Sequence, residues 1–153
     1  MLVRPLKYAL LAAALAVATG AALAAGPKPS VNKDPDGIAV KGYDVVAYAV
    51  AGAPVKGIAR FKYAWNDAVW MFATAENRDR FATSPEKYAP QFGGYCAWAV
   101  SRDYTADVDP EAWRIVDGRL YLNYSKSVQR RWEQDVPGNI AKAQANWPAV
   151  LNK

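Results

Sequence analysis

Alternating apolar and polar residues predict two β-hairpins in this chain. The aromatic residues of ARFKYAW (59–65) fall on one face of a strand, and AVWMF (68–72) returns after an Asn-Asp pair. In the same way WRIV (113–116) and RLYLNY (119–124) flank Asp117-Gly118, the strongest hairpin turn in the sequence. The pattern therefore places one hairpin near the middle of the chain and a second toward its C-terminal end.

Capping residues and helical spacing predict the helices that follow these hairpins. Thr74 can cap a helix from 75 to about 83, and SPEKYAP (84–90) adds a short second helical turn. Ser125 can cap a further helix that ends near residue 135, and Pro137 opens the last helix of the chain.

The remaining segments are short, and together with the hairpins they predict a single α+β domain with several short helices. GYDVVAYAV (42–50) fits a helix or a strand, YCAWAV (95–100) fits one or two helical turns, and SRDYTADVDPE (101–111) is typical of an acidic loop. Residues 25–41 are rich in proline, glycine and polar groups, and predict an extended arm ahead of a domain over 42–151. No internal repeat is visible.

The N-terminus has a pattern of its own. Arg4 and Lys7 are followed by an alanine- and leucine-rich run, and Ala22-Leu23-Ala24 places small residues at the −3 and −1 positions of a cleavage site. This order predicts a secretory signal peptide over residues 1–24, and hence an exported, periplasmic protein with no membrane attachment after cleavage. The alternative, an uncleaved anchor, is disfavoured because Thr19 and Gly20 interrupt a weakly hydrophobic run.

Composition and charge exclude several classes of function. The chain has 153 residues, of which 19 are basic and 14 acidic, and a net charge of +3 remains without Arg4 and Lys7. The charges are interspersed, which argues against nucleic acid as a partner. No histidine and only one cysteine are present, which removes the Ser-His-Asp and Cys-His arrangements, the usual zinc sites and an intramolecular disulfide. Six tryptophans and nine tyrosines predict an aromatic core, with a minority of these residues lining a pocket.

Cys96, the only cysteine, lies in QFGGYCAWAV (91–100) after two glycines. If a helix begins after the glycines, Cys96 lies in its first turn, where unpaired N–H groups stabilise a thiolate and lower its pKa. Gly93 and Gly94 allow backbone or a ligand to approach closely. A cysteine also packs as a small apolar residue, and these residues alone leave both roles open.

One segment resembles the core of a known domain. FATAENRDRFATSPEKY (72–88) is similar to the YHS domain in its aromatic start, its phenylalanine and its Pro-x-x-Tyr ending. The two cysteines of the metal-binding form fall on Ala73 and Asn77, which cannot act as soft-metal ligands. The chain as a whole resembles a family of exported YHS domain-containing (seleno)proteins. The segments that carry this resemblance are GYDVVAY (42–48), the ENRDRF helix (76–81), YAPQFGGYCAWAV (88–100), WRIVDGRLYLNYS (113–125) and GNIAKAQANWP (138–148).

Three functions are compatible with these observations. Because some members of that family carry selenocysteine, the resemblance implies a functional thiol at Cys96, which would exchange with an external thiol reductant or capture a soft ligand. Whether the domain is an enzyme stays open. A second hypothesis is metal binding, in which Cys96 and Met71 supply the sulfur ligands that favour copper. The third is a module that binds a small ligand or a partner. Its candidate ligand-binding residues are Tyr43, Asp44, Gly93, Gly94, Tyr95 and Trp98.

Overall fold

A computed structural model describes residues 26–153, so the predicted signal peptide lies outside the described residues. The strands in this part of the chain are β1 (Ile58–Trp65), β2 (Ala68–Phe72), β3 (Asp109–Val116) and β4 (Arg119–Asn123). The helices are α1 (Ala47–Val50), α2 (Ala75–Thr83), α3 (Pro85–Tyr88), α4 (Ala97–Ser101), α5 (Lys126–Trp132) and α6 (Val136–Asn146). None of these helices has the length and hydrophobicity needed to cross a bilayer. The predicted α+β class is confirmed.

The strands form two separate antiparallel hairpins, β1–β2 and β3–β4. Both turn pairs, Asn66-Asp67 and Asp117-Gly118, have positive φ at each residue, which is the two-residue turn that matches the twist of paired strands. β3 begins at Asp109 and not at Trp113, so the end of the predicted acidic loop is in fact strand. A bulge between these two residues interrupts the regular pairing with β4, and the strand continues beyond the bulge to Asp109.

Side-chain caps begin the helices that follow the hairpins. Thr74 Oγ1 accepts the N–H of Asn77 at 3.1 Å, and Ser125 Oγ accepts the N–H of Val128 at 3.2 Å. The helix predicted to end near residue 135 consists of α5 and a 3₁₀ turn, Glu133–Asp135. Both predicted caps are therefore confirmed.

The second hairpin and its helix repeat the first at a spacing of 51 residues. β3 and β4 begin and end 51 positions after β1 and β2, and the bulge and the helix cap keep the same spacing. The rings of Trp70 and Phe81 lie 5.1 Å apart with planes at 34°, and those of Tyr121 and Trp132 lie 5.4 Å apart at 33°. The expectation of no internal repeat is therefore wrong for the structure. The sequence hides the repeat because turns, bulges and caps accept several residue types.

The structure has two hydrophobic cores among the described residues, and they do not coincide with the two halves of the repeat. The first forms around the first hairpin and α2, with Trp70, Phe72 and Phe81 almost fully buried, and it also includes buried residues of β4. The second forms where α4 packs against α6, and it includes Trp132 and Val100. Their burial supplies the apolar contacts that hold the elements together.

The predicted arm packs against the domain along much of its length. The N–H of Lys28 donates to the Leu151 carbonyl and that of Asn32 to the Gly93 carbonyl, both at 2.8 Å. Val31, between them, is 2% exposed and belongs to the first core. The arm thus joins the C-terminal end of the chain to the segment that carries the glycines.

Thr74→Ala and Ser125→Ala are each expected to lower the free energy of unfolding by about 1 kcal/mol, because each leaves a first-turn N–H without its side-chain acceptor. Urea denaturation followed by circular dichroism measures the change. Thr83→Ala, at the exposed end of α2, is the control and is expected to change stability by less than about 0.5 kcal/mol. An equal loss in all three variants would contradict the capping role.

Candidate functional site

Cys96 is the N-cap residue of α4 and is 1% exposed. Its sulfur accepts the N–H of Tyr124 at 3.3 Å, and its S–H donates to Asn123 Oδ1 at 3.7 Å. Asn123 is itself fully buried, and its Oδ1 also accepts the N–H of Trp98 at 3.1 Å. The thiol is therefore enclosed in the first core, with polar partners from β4 and the residue after it.

Burial raises the pKa of the Cys96 thiol above its usual value, although the N–H groups of Ala99, Tyr124 and Trp98 act in the opposite direction. The predicted lowering of this pKa is wrong. Cys96 precedes a five-residue helix instead of lying in its first turn, and the cost of burying a thiolate exceeds the stabilisation by the N–H groups. The thiol is consequently protonated at neutral pH and poorly nucleophilic.

Gly93 and Gly94 are needed for a close approach, as predicted, but the approaching group is the chain itself. Gly93 has a φ of +62°, and a Cβ there would collide with the carbonyl oxygen of Ser30 in the arm. Gly94 has a φ of +79°, and a Cβ there would lie 3.2 Å from Pro90 Cγ. The space beside the two glycines is thus occupied by backbone and by Pro90.

The neighbouring aromatic residues make contacts within the fold. The Tyr95 hydroxyl donates to the Pro29 carbonyl at 2.9 Å, which ties the arm to the same segment. Trp98 is partly buried, and the Arg102 guanidinium lies 4.2 Å from the centre of its ring. Both rings are thus engaged in contacts within the fold.

Asp44 is fully buried, and its carboxylate anchors several elements. Oδ1 accepts the N–H groups of Val46 at 2.9 Å and Ala47 at 3.1 Å. Oδ2 accepts the N–H of Ala73 at 2.9 Å and the Asn77 side-chain amide at 2.7 Å. With two donors on each oxygen, the carboxylate is fully used within the fold.

The structure gives the two candidate sulfur ligands different neighbours. Met71 lies on β2, where a Cβ on Gly42 would come within 3.5 Å of its Sδ, whereas Cys96 lies beside β4. Tyr43 is partly buried next to Lys56, whose Nζ is 5.6 Å from the ring centre. Among residues 26–153, no three His, Cys, Asp or Glu side chains come together as a metal-binding group.

A cleft that the sequence analysis did not assign lies between Trp65 and Trp147. It consists of two adjoining cavities of about 310 and 240 Å³, which share Trp65, Ala89, Pro90 and Trp147 as lining residues. Trp65 packs on the first core and Trp147 on the second. The cleft, which we call the tryptophan cleft, therefore lies at the junction between the two cores.

Polar side chains of several kinds surround the indoles of this cleft. Arg119 and Gln91 line the larger cavity, and Arg119 Nη1 lies 3.4 Å from Gln91 Oε1. The other polar residues are Glu86 and Gln144 in the larger cavity and Ser30 and Asn66 in the smaller one. The cleft thus offers both donors and acceptors next to aromatic surface.

The excess of tryptophan was the available signal for this cleft. The periodic pattern assigned Trp65 to a hairpin face, and both Trp65 and Trp147 do pack inward on one side. The other sides of the two rings line one cleft, and this arrangement depends on contacts between distant parts of the chain.

No family model, curated protein or solved structure matches this chain. The site is therefore interpreted from its own geometry.

At pH 8 the folded protein is expected to react with iodoacetamide at least about 100-fold more slowly than the urea-unfolded protein, because the thiol is reached only when the structure opens. Mass spectrometry of the alkylated chain gives both rates. As a control, Ser127→Cys in a Cys96→Ser background places a thiol at an exposed position and should react rapidly in the folded state. Native Cys96 reacting as fast as this control would contradict its enclosure.

Proposed function

We propose that the protein is an exported, periplasmic YHS-like domain that binds a saccharide in the tryptophan cleft without chemical turnover. The observation that carries this proposal is the pair of partly buried indoles, Trp65 and Trp147, that line two adjoining cavities. The leader pattern and the family resemblance support the exported, YHS-like part of the proposal. The enclosed thiol argues against a redox function at Cys96, which was the first of the three hypotheses.

A sugar ring fits the chemistry of this cleft. Its C–H face is apolar and packs on an indole, whereas its hydroxyl groups both donate and accept hydrogen bonds at the edge of the ring. The cleft supplies Arg119 as a donor, Glu86 as an acceptor, and Gln91 and Gln144 as both. A single charged or purely apolar ligand would leave part of this set without a partner.

The size and position of the cleft favour a weak binding module over an enzyme. Cavities of about 310 and 240 Å³ match one or two sugar rings, and small-ligand sites typically lie at such junctions. Because Trp65 and Trp147 each pack against buried residues, their rings are held in place before a ligand arrives, which lowers the entropic cost of binding.

Isothermal titration with cellohexaose, maltohexaose and chitohexaose tests the saccharide class. At least one of them is expected to bind with a dissociation constant of about 1 mM or lower. Trp65→Ala should weaken that binding by about tenfold or more, because it removes one stacking surface. Gln144→Ala, at an exposed position of α6, should weaken it more modestly and leave the fold intact.

The control is Tyr124→Ala, which removes a ring that is 59% exposed but lies outside the cleft, and it should leave the affinity unchanged. A decapeptide of proline serves as the contrasting ligand, because aromatic grooves also take polyproline helices. The proposal would be rejected if only the peptide bound. It would also be rejected if none of the three sugars bound at a concentration about 10-fold above the expected dissociation constant.

A further inference from the structure

The structural repeat extends to the turns that precede the short helices α1 and α4. Val40–Gly42 has φ values of 49°, 52° and 78°, and residues 92–94 have 57°, 62° and 79°. Tyr43 and Tyr95 follow, and each donates its N–H to the first residue of its turn at 3.0 Å. Successive left-handed residues are rare in L-amino-acid chains, so their recurrence marks these two segments as structurally equivalent.

By this equivalence, Asp44 and Cys96 occupy the same place in the two halves. The N–H of Asp44 donates to the Val55 carbonyl at 2.8 Å, and the N–H of Cys96 donates to the Ala106 carbonyl at 3.0 Å. Each residue therefore directly follows a tyrosine and makes the same backbone hydrogen bond within its half.

The two side chains also meet equivalent donors. Asp44 Oδ2 accepts the N–H of Ala73 at 2.9 Å, and Cys96 Sγ accepts the N–H of Tyr124 at 3.3 Å. Ala73 and Tyr124 hold the same position, directly after the second strand of a hairpin and before the helix cap. The thiol thus stands where one carboxylate oxygen stands in the first half.

An amide oxygen stands in for the other carboxylate oxygen. Asp44 Oδ1 accepts the N–H of Val46 at 2.9 Å, whereas the equivalent N–H, that of Trp98, goes to Asn123 Oδ1 at 3.1 Å. Asn123 Nδ2 is buried without a partner among the described residues. The second half therefore accepts these N–H groups with two neutral side chains, and leaves one buried donor unsatisfied.

We infer that Cys96 is the hydrogen-bond acceptor that joins the elements of the second half, in the place that Asp44 occupies in the first, and that this place accepts a carboxylate. A carboxylate at position 96 would receive the N–H of Tyr124. With the Asn123 amide turned over, one oxygen of this carboxylate would accept the unsatisfied nitrogen of Asn123, as Asp44 accepts the Asn77 amide at 2.7 Å. The other oxygen would accept the N–H of Trp98, which the turned amide no longer accepts, as Asp44 accepts that of Val46 at 2.9 Å. This inference does not depend on the saccharide proposal.

An acceptor role and an apolar role of Cys96 predict opposite orders of stability for the valine and aspartate variants. If Cys96 were only a small buried hydrophobe, valine would replace it with little loss and aspartate would disrupt the core. If Cys96 is an acceptor, valine leaves the N–H of Tyr124 unsatisfied and aspartate restores its bond.

Thermal unfolding of Cys96→Asp and Cys96→Val at pH 7 tests this order. The aspartate variant is expected to melt about 5 °C or more above the valine variant. Native-state hydrogen exchange at the Tyr124 amide should be faster in the valine variant than in the aspartate variant. Val100→Asp is the matched control, because Val100 is fully buried in the short helix that Cys96 precedes and has no such donors, and this variant is expected to unfold.

A Cys96→Val variant that melts with the wild type, together with a Cys96→Asp variant that melts below it, would overturn the inference. If both variants fail to fold, the reciprocal pair Asp44→Cys and Asp44→Val decides. The inference expects the cysteine variant to melt higher, because sulfur still accepts the N–H of Ala73, and the opposite order would reject it.

Discussion

One buried carboxylate fixes how the first half of this domain is arranged. Asp44 is fully enclosed, and its two oxygens accept four N–H groups from the start of α1, the end of β2 and the helix α2. Enclosing a charge is costly, and here convergent donors at the beginnings of two helices offset that cost. Because the donors belong to three elements, the carboxylate sets the positions of these elements relative to one another.

In the second half, Cys96 and Asn123 together accept the N–H groups that correspond to those on Asp44, and this arrangement has consequences for function. Holding the thiol inside the core raises its pKa and closes it to reagents, so the one soft nucleophile of the chain contributes to structure. The surface that we propose for binding is instead the junction between the two cores. There Trp65 and Trp147 each pack inward on one side and line the tryptophan cleft on the other.

The sequence predicted those parts of the fold that depend on neighbours in the chain. The turn pairs at 66–67 and 117–118, and the caps Thr74 and Ser125, are local signals, and all four form as expected. The role of Asp44 could not be predicted in this way, since two of its four partners are about 30 residues distant along the chain. The cleft and the packing of the arm on Gly93 likewise depend on contacts between remote segments.

The stability of Asp44→Asn shows whether this carboxylate holds the first half together. The change keeps the shape of the side chain but replaces an acceptor with an amide donor that faces N–H groups, so the free energy of unfolding should fall by about 3 kcal/mol or more. Asp34→Asn is the matched control: Asp34 is exposed and accepts two backbone N–H groups through one oxygen, which asparagine can also do, and the loss should stay below about 1 kcal/mol. Equal stability of Asp44→Asn and the wild type in urea denaturation would contradict the central role of this carboxylate.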